Sequence, residues 1–409
     1  MRILLLSNLY PPHALGGAEI VAADVAAGLE RLGHEVHVLT SSYGLAKPEE
    51  DQHIWRTLHV APPVHFDRKQ PAWQQLGQLL NYYRRYHNSA NAKELLRAIT
   101  ITKPDVLFIN EITGIGVISL LSALHSVKIP IVFYLQSYLL IYARSPETKE
   151  SHLRARWLKK LLIGSLPSLT YTSLIAVSNA VKQEYIKAGY SHESIEVIYN
   201  GVDSRFLKPL PIQKSKASAG GNPCTELLYV GRLNTEKGIV VILEALDLLV
   251  NSQGRKDLHL HIFGDGDKSY IAELQHFITE KQLTEIITFH GRVSQEELLG
   301  YYDRSDIMLV PSLWQEPFAL VTAEGMARGL PIIASNVGGT GERITDNVNG
   351  LLVEPGDEQE LALAIIQLVD HPDELHRLAQ AARTTVEEHF TIEECAKRME
   401  QHLLQAIQK

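Results

Sequence analysis

The sequence predicts an α/β protein with two doubly wound domains, one after the other along the chain. The chain has 409 residues, which is too long for one ordinary core and suits two domains of about 200 residues each. Both halves also alternate continuous apolar runs with amphipathic helical patterns, and this alternation is typical of βαβ units on a parallel sheet.

Charge distinguishes the two halves. Residues 1–200 carry 20 Lys and Arg against 16 Asp and Glu, whereas residues 201–409 carry 19 against 31. The net charges of +4 and −12 together give the −8 of the whole chain, and this difference favours two domains with different partners. Neither half is basic enough for nucleic acid to be the main partner. The composition, 45% hydrophobic and 21% charged, is that of a globular protein.

The cysteines and the N-terminus indicate the compartment. Cys224 and Cys395 are far apart in sequence and match no metal-ligand spacing, so we expect reduced thiols in a reducing compartment. The N-terminal apolar run is too short for a signal peptide, and no stretch has about 20 consecutive apolar residues. We therefore expect a cytoplasmic protein without a transmembrane helix.

The first 40 residues predict a strand, a glycine-bearing loop, a helix and a second strand. Residues 3–6 are all apolar, as in a parallel strand that is covered on both faces. Apolar residues then recur on one face of a helix, which Gly33 ends before the strand at 36–39. Helices are predicted over 66–102, and the later strands of this half are predicted at 106–109, 131–135, 174–177 and 196–198.

The domain boundary is predicted between residues 205 and 206, because Pro209, Pro211 and the polar run 214–223 interrupt the apolar periodicity. The first domain then comprises residues 1–205 and the second residues 206–390. A C-terminal helix at 391–409 is expected to pack back on the first domain. A second series of strands is predicted at 227–230, 258–263, 286–289, 307–310 and 331–334.

Two cations follow the strand at 227–230 and precede a helix. Arg232 and Lys237 are five residues apart. A strand end before a helix offers backbone N–H groups, and two positive side chains there suit a diphosphate. Solvated loop cations are the alternative interpretation, since such residues are common at protein surfaces.

Two glutamates follow the strand at 307–310. Glu316 stands just before a helix that is expected to start near Phe318, and Glu324 lies about two turns into it. A carboxylate accepts two hydrogen bonds at once, so Glu324 suits vicinal hydroxyl groups. The N–H groups of Phe318, Ala319 and Leu320 would be first-turn donors suited to a phosphate.

The run from Glu316 to Glu324 resembles the Glu-x7-Glu motif of glycosyltransferase family 4, a large family of GT-B enzymes. Four further segments resemble its signatures: Gly231-Arg232-Leu233 with Lys237-Gly238, Asn200-Gly201-Val202-Asp203, Pro331-Ile332-Ile333-Ala334 with Gly338-Gly339 and Glu342, and Asn349-Gly350-Leu351-Leu352-Val353. The resemblance implies a GT-B fold, with two Rossmann-like domains and an interdomain cleft. It also implies a retaining glycosyltransferase that moves a sugar from a nucleotide sugar to an acceptor.

The resemblance also implies roles for individual residues. Glu324 would bind the ribose hydroxyls and Glu316 the hydroxyls of the donor sugar. Arg232 and Lys237 would stabilise the departing diphosphate. The implied catalytic set is Arg232, Lys237 and Glu316, and the donor-binding set is Gly16, Gly17, Gly264, Val293, Phe318, Ala319, Leu320 and Glu324. Gly264 and Val293 would lie near the base, although the stretch from Gly264 to Gly266 fits a plain turn equally well.

Gly16 and Gly17 follow the first strand and open a helix. Glycine there lets the backbone approach a ligand, and a helix N-terminus favours an anion. The pair lacks the third glycine of a dinucleotide fingerprint, which disfavours a nicotinamide-dependent oxidoreductase. It resembles the family's loop that faces the donor diphosphate, and a tight turn that needs glycine is the alternative.

The first half departs from the family after the strand at 131–135. Many relatives have a histidine there that contacts the donor sugar or the acceptor, whereas this chain has Gln136 and Ser137. Glutamine can hydrogen-bond a sugar hydroxyl but cannot act as a general base. His13 and Asn110 are the other candidate contacts. The departure leaves a second function open, that of a nucleotide-sugar-binding protein with weak or no catalysis.

The expected donor is a UDP-, GDP- or ADP-sugar, and no residue fixes the sugar or the acceptor, which would be a glycan, a glycolipid or a small molecule. No metal ligand or divalent metal is expected, because no Asp-x-Asp pair stands at a strand end and the cations can stabilise the diphosphate. The basic amphipathic segment 154–162 predicts either a solvated helix face or peripheral contact with the inner membrane face.

Overall fold

Runs of buried aliphatic residues form the central strands of two sheets. The computed structural model describes residues 1–13, 16–62, 72–144, 167–208 and 224–409. The chain divides into two compact units, of which the first comprises Met1–Gly201 with Ile392–Lys409 and the second Val202–Thr391.

The sheet of the first unit is almost entirely parallel. Its strands are β1 Arg2–Ser7, β2 Glu35–Ser41, β3 Glu49–Glu50, β4 Ile54–Leu58, β5 Val106–Glu111, β6 Ile131–Leu135, β7 Ser173–Ala176 and β8 Ile195–Val197. Their order across the sheet is β3-β4-β2-β1-β5-β6-β7-β8, so the strand order reverses between β1 and β5. The edge strand β3 pairs with β4 in antiparallel orientation. The apolar pattern did not predict this pair, because β3 has two exposed residues only.

Helices in the described part of this unit are α1 Gly17–Arg31, α2 Ala72–Tyr86, α3 Ser89–Thr102, α4 Val117–Leu124, α5 Leu139–Arg144 and α6 Asn179–Lys187. The helical stretch predicted over 66–102 forms two helices in its described part, and residues 66–71 lie outside the described ranges. Helix α3 begins anew because the Asn88 side chain caps it, accepting a hydrogen bond from the Asn91 N–H at 3.1 Å.

The sheet of the second unit is parallel throughout its described strands. They are β9 Thr225–Val230, β10 Leu258–Phe263, β11 Ile287–Gly291, β12 Ile307–Val310, β13 Ile332–Ser335 and β14 Leu351–Val353. The order across the sheet is β11-β10-β9-β12-β13-β14, so the strand order reverses between β9 and β12. Open sheets bind ligands beyond the carboxyl ends of the strands at such a reversal.

Helices lie on the two faces of this sheet. They are α7 Ile239–Asp247, α8 Lys268–Glu280, α9 Gln295–Arg304, α10 Leu320–Ala327, α11 Glu358–Asp370 and α12 Pro372–His389. Residues of α7, α8 and α11 share one core with Leu227, Leu260 and Ile262. Side chains alternate between the faces of a strand, so the intervening residues of β9 and β10 point to the opposite face.

The C-terminal helix α13 (Ile392–Gln408) belongs to the first unit. His402 hydrogen-bonds the Glu196 carboxylate at 2.6 Å and the Ser173 hydroxyl at 2.8 Å. A Cβ atom on Gly28 of α1 would lie 2.6 Å from Ala396 Cβ, so glycine permits the close packing of α1 against α13.

None of the described helices is both long and apolar enough to cross a membrane. The basic segment 154–162 lies outside the described residues. Membrane contact through this segment therefore stays a prediction.

Candidate active site

The loops that follow β9 and β12 meet at the carboxyl edge of the second unit's sheet. Arg232 and Lys237 lie in the first loop and Glu316 in the second. The two loops are joined by their backbones, because the Leu313 N–H donates to the Glu236 carbonyl at 2.8 Å. The sheet therefore brings together the charged residues that the sequence placed at two separate strand ends.

Gly238 permits this approach of the two loops. Its φ of +68° is in the left-handed region, and a Cβ there would lie 1.9 Å from the Pro311 carbonyl oxygen. A larger residue would push the two loops apart. The glycine that follows Lys237 is thus required by the geometry of the site's backbone.

Lys237 and Glu316 form an ion pair that is largely shielded from water. Lys237 Nζ lies 2.5 Å from Glu316 Oε1, and the Ser312 hydroxyl donates to the same oxygen at 2.6 Å. Glu316 is only 3% exposed. A buried carboxylate needs a charge partner and hydrogen bonds, and Lys237 and Ser312 supply both. The sequence analysis assigned separate roles to the two charged residues and did not identify Ser312.

Arg232 stands out among the charged residues of these loops. Its side chain is exposed, and it makes no ion pair with the described residues. Its carbonyl accepts a hydrogen bond from the Tyr229 hydroxyl at 2.9 Å, which fixes the backbone beneath the side chain. The Arg232 backbone is therefore held at the strand end, while its side chain is exposed.

Helix α10 begins at Leu320, two residues later than predicted, because Ala319 has a φ of +56°. Phe318 and Ala319 consequently precede the helix, and their N–H groups are not in its first turn as expected. Glu324 lies about one turn into the helix rather than two. Of the three residues, only Leu320 lies in the first turn, and its contact with a phosphate stays a prediction.

Glu324 is buried and held by a tyrosine. The Tyr302 hydroxyl of α9 donates to Glu324 Oε2 at 2.9 Å. Burial and then the neighbouring Glu324 carboxylate raise the pKa of Tyr302 well above its usual value, so its hydroxyl stays a donor. Tyr302 carried no sequence signal, since only the packing of α9 against α10 brings it to the glutamate.

Arg343 is a second buried residue that the sequence did not identify. Its guanidinium donates to the carbonyls of Ala319 at 3.1 Å and Gly339 at 3.2 Å, and it lies 4.0 Å from the Phe318 ring centroid. The Gly339 N–H in turn donates to the Glu316 carbonyl at 2.7 Å. Arg343 thus fixes the segment that links the two glutamates.

Gly264 and Gly266 have a structural explanation. A Cβ on Gly264 would lie 1.8 Å from the Gly231 carbonyl oxygen, and one on Gly266 2.0 Å from that of Leu233. The loop after β10 therefore lies directly against the loop after β9. This geometry favours the turn interpretation of the glycines, while a contact of Gly264 or the half-buried Val293 with a base stays a prediction.

In the first unit, Gly16 is the N-cap of α1 and Gly17 its first residue. Gly16 has an extended backbone with a φ of −154°. Any residue can adopt this conformation, so the backbone of a tight turn does not explain the glycine. Its N–H donates to the Glu19 carboxylate at 2.8 Å. The donor that was expected to face a phosphate is thus occupied by the helix's own glutamate.

Asn110, at the end of β5, holds the start of α1. Its side-chain amide donates to the Ala18 carbonyl at 3.1 Å and to the Ser7 hydroxyl at 3.3 Å. Its Oδ1 atom is buried and has no hydrogen-bond partner among the described residues. The side-chain nitrogen of Asn110 therefore has a structural role, while its Oδ1 atom can still accept a hydrogen bond.

Gln136 is paired with Asn200 through both ends of its amide. Gln136 Nε2 donates to Asn200 Oδ1 at 3.2 Å, and Asn200 Nδ2 donates to Gln136 Oε1 at 3.1 Å. The neighbouring Ser137 hydroxyl donates to Glu111 Oε2 at 3.0 Å. The corner that lacks the family's histidine is therefore a closed network of hydrogen bonds, and Glu111 is its charged member.

His13 lies in a loop that a buried arginine supports. Arg56 donates to the carbonyls of Tyr10 at 3.1 Å and of Pro11. The His13 ring fills the space beside Gly44, where a Cβ would lie 2.4 Å from His13 Nδ1. Packing accounts for the placement of His13, and a contact with sugar stays a prediction.

Comparisons with known proteins cover nearly the whole chain. Residues 15–206 match the family model described as Glycosyltransferase Family 4, and residues 214–385 match that described as Glycosyl transferases group 1. An uncharacterized glycosyltransferase of Methanocaldococcus jannaschii is 25% identical over 419 residues, which cover 97% of this chain and 96% of that protein. The glycogen synthase of Mycobacterium tuberculosis is 26% identical over 414 residues, covering 95% and 91%.

Solved structures show the same fold. The Anabaena protein HepE, in complex with UDP-glucose, superposes with a TM-score of 0.70 at 24% identity over 99% of this chain and 100% of that one. Sucrose-phosphate synthase from Thermosynechococcus elongatus superposes with a TM-score of 0.74 at 22% identity over 99% and 98%. The GT-B architecture that the motifs implied is confirmed, and the comparisons favour a transferase over a binding protein without catalysis. The chain is a GT-B glycosyltransferase of the family 4 type.

Proposed function

We propose that this enzyme transfers a sugar from a nucleoside diphosphate sugar to a hydroxyl acceptor with retention of the anomeric configuration. The observation that carries the proposal is the Lys237–Glu316 pair beside Arg232 at the strand reversal of the second unit. It combines a carboxylate that can accept hydrogen bonds from sugar hydroxyls with two cations that can face a diphosphate.

The cations would act on the leaving group. Breaking the bond between the anomeric carbon and the diphosphate oxygen places negative charge on that oxygen, and fixed positive groups stabilise this charge as it develops. Arg232 is exposed and unpaired with the described residues, so it can contact the diphosphate without losing an ion pair. Lys237 would divide its donors between Glu316 and phosphate. With two cations in place, we propose that transfer needs no divalent metal.

The carboxylates would orient the donor. Glu324 keeps one oxygen on Tyr302 and would accept hydrogen bonds from the ribose hydroxyls. Glu316 would accept hydrogen bonds from the hydroxyls of the sugar. The acceptor's proton would pass to the departing diphosphate, so that the reaction requires no protein base at Gln136.

A thermal-shift screen with UDP-, GDP- and ADP-sugars tests donor binding, because a ligand that binds only the folded state raises Tm by mass action. UDP-glucose is the first probe, since the similar Anabaena protein was solved with it. We expect one nucleotide to raise Tm and the shift to disappear in Glu324→Ala and Arg232→Ala.

Lys256→Ala is the matched control, because Lys256 is exposed and precedes β10, at the opposite edge of the same sheet. A full shift and full transfer in both site variants would refute the assignment. An inverted anomeric configuration in the product, read by NMR, would refute retention while leaving the donor site intact.

A further inference from the structure

Three polar side chains converge on one face of the second unit's sheet. Glu226 lies on β9 directly opposite His259 of β10, and His261 is two residues further along the same face. Glu226 Oε2 lies 2.9 Å from His261 Nε2 and 3.5 Å from His259 Nδ1. One ligand atom from each residue lies within 4.8 Å of the other two.

These distances suit a shared metal ion. Bonds of about 2.0–2.2 Å to zinc place tetrahedral ligands roughly 3.3–3.6 Å apart. The 3.5 Å distance from Glu226 to His259 lies within that spacing, and the 2.9 Å distance from Glu226 to His261 is a few tenths of an ångström shorter, so a small rotation of the side chains would admit an ion. Glu226 and His259 are about a quarter exposed, at 27% and 28%, which leaves water access to a fourth coordination position.

Both histidines are oriented through their other ring nitrogen. His259 Nε2 lies 2.9 Å from the Thr288 hydroxyl, and His261 Nδ1 lies 2.9 Å from His290 Nε2. His290 is in turn 3.3 Å from the Tyr301 hydroxyl. Metal-binding histidines commonly use the second nitrogen in this way, because the hydrogen bond fixes the tautomer and the ring orientation.

We propose that Glu226, His259 and His261 form a binding site for a divalent first-row transition metal, most suitably Zn²⁺. Two imidazole nitrogens and one carboxylate oxygen are the donor set that such ions accept. The ion would crosslink β9 and β10 and take no part in sugar transfer. Glu226 lies about 16 Å along the strand from Gly231, where the candidate active site begins. The site adds a metal ligand set that the sequence did not predict.

Calorimetric titration of the chelator-treated full chain with Zn²⁺ tests the site. We expect a single tight site per chain. Glu226→Gln and His259→Gln, which keep the size of the side chains similar, should lower the affinity by at least about 100-fold, and Thr288→Val by roughly 10–100-fold because it removes an orienting partner. His376→Ala is the control, since His376 is exposed on α12 and outside the cluster.

Cobalt gives an independent readout. Co²⁺ in place of Zn²⁺ should produce a visible ligand-field band that Glu226→Gln abolishes while its circular dichroism spectrum stays that of the parent. Zn²⁺ should also raise Tm in the parent and in His376→Ala only. Equal Zn²⁺ affinity in the parent, Glu226→Gln and His259→Gln would overturn the proposal, as would the absence of any site tighter than the surface histidines provide.

Discussion

The strand-end loops of the two units use their polar residues in different ways. In the second unit, the predicted catalytic residues and Glu324 carry charge, and Glu316 and Glu324 are held by Lys237 and Tyr302. In the first unit, the predicted contacts Asn110 and Gln136 are amides, and Gln136 is satisfied by Asn200. Strand ends near the reversal of a parallel sheet therefore carry charged side chains in one unit and an amide pair that is satisfied within the fold in the other.

Charged groups and a paired amide differ in how many further hydrogen bonds they can make. A charged group keeps capacity after one contact, since a carboxylate can accept several hydrogen bonds and an ammonium can donate three. An amide that is paired at both ends has to lose existing bonds before it contacts a ligand. We therefore expect substitutions in the second unit to change activity and substitutions at Gln136 to change stability.

Lys237→Ala should have the largest effect. The loss of one group that stabilises developing charge lowers kcat by about 10²–10³-fold. The substitution also leaves the buried Glu316 carboxylate without its ion partner, which should lower the free energy of unfolding by about 3 kcal/mol. Steady-state kinetics with the identified donor and denaturant unfolding measure the two effects separately.

Lys237→Arg should be compared with Lys237→Ala, because it keeps the positive charge near Glu316 but changes the geometry of the side chain. It should recover most of the stability and only part of the activity. Equal activity in Lys237→Ala and in the surface variant Lys256→Ala would show that the ion pair is structural alone, and the contrast between the units would then disappear.

Tyr302→Phe should have the next largest effect. It removes the hydroxyl that fixes the Glu324 carboxylate, and a hydrogen bond to a charged group contributes about 1.5–3 kcal/mol. We expect a lower free energy of unfolding and a higher Kd for the donor, measured by denaturant unfolding and by calorimetric titration with the nucleotide.

Tyr270→Phe is the matched control in the same unit. The Tyr270 hydroxyl is buried and has no hydrogen-bond partner among the described residues, so its removal should leave donor binding unchanged. If the two variants bind the donor equally well, the Tyr302 hydrogen bond does not position Glu324 for binding.

The strands could be predicted from the sequence, whereas several residues of the candidate site could not, because these residues leave no pattern in the local sequence. Strands such as β1 and β6 could be predicted because buried parallel strands have continuous apolar runs. Tyr302, which holds Glu324, and Arg343, which holds the segment between the two glutamates, could not be predicted in this way. Arg343 and Tyr302 have no signal in their local sequence, and only helix packing and a long loop bring them to the site. The start of α10 was misplaced because Ala319 adopts a left-handed conformation, which local patterns rarely predict for alanine.

Gln136→Leu tests the first unit directly. It removes two neutral hydrogen bonds of about 0.5–1.5 kcal/mol each, so the free energy of unfolding should fall by about 1–3 kcal/mol. The value of kcat/KM should fall by less than about tenfold, since glutamine provides no acid–base catalysis. Denaturant unfolding and steady-state kinetics of the same preparation check both values.

Gln405→Leu is the control, because Gln405 is exposed on α13 in the same unit. It should change neither quantity. A loss of activity in Gln136→Leu that approaches the loss in Lys237→Ala would instead assign Gln136 a direct contact with the reacting groups.

Cys395 provides the prediction with the smallest effect at neutral pH. Burial raises the pKa of the Cys395 thiol to about 11 from an ordinary value of 9.0. Because the folded pKa is the higher one, the stabilisation from the neutral thiol is complete below pH 9 and is lost as the pH rises through 11. The free energy of unfolding of a Cys224→Ser chain should therefore fall over this interval, and the free energy of unfolding of a chain that also carries Cys395→Ala should depend less on pH.

In the native Cys224→Ser chain at pH 8, a thiol reagent should label Cys395 only as fast as α13 separates from the first unit. Labelling at the rate of an exposed thiol would show that the helix does not shield Cys395, and that the first unit is less closed than its hydrogen bonds indicate.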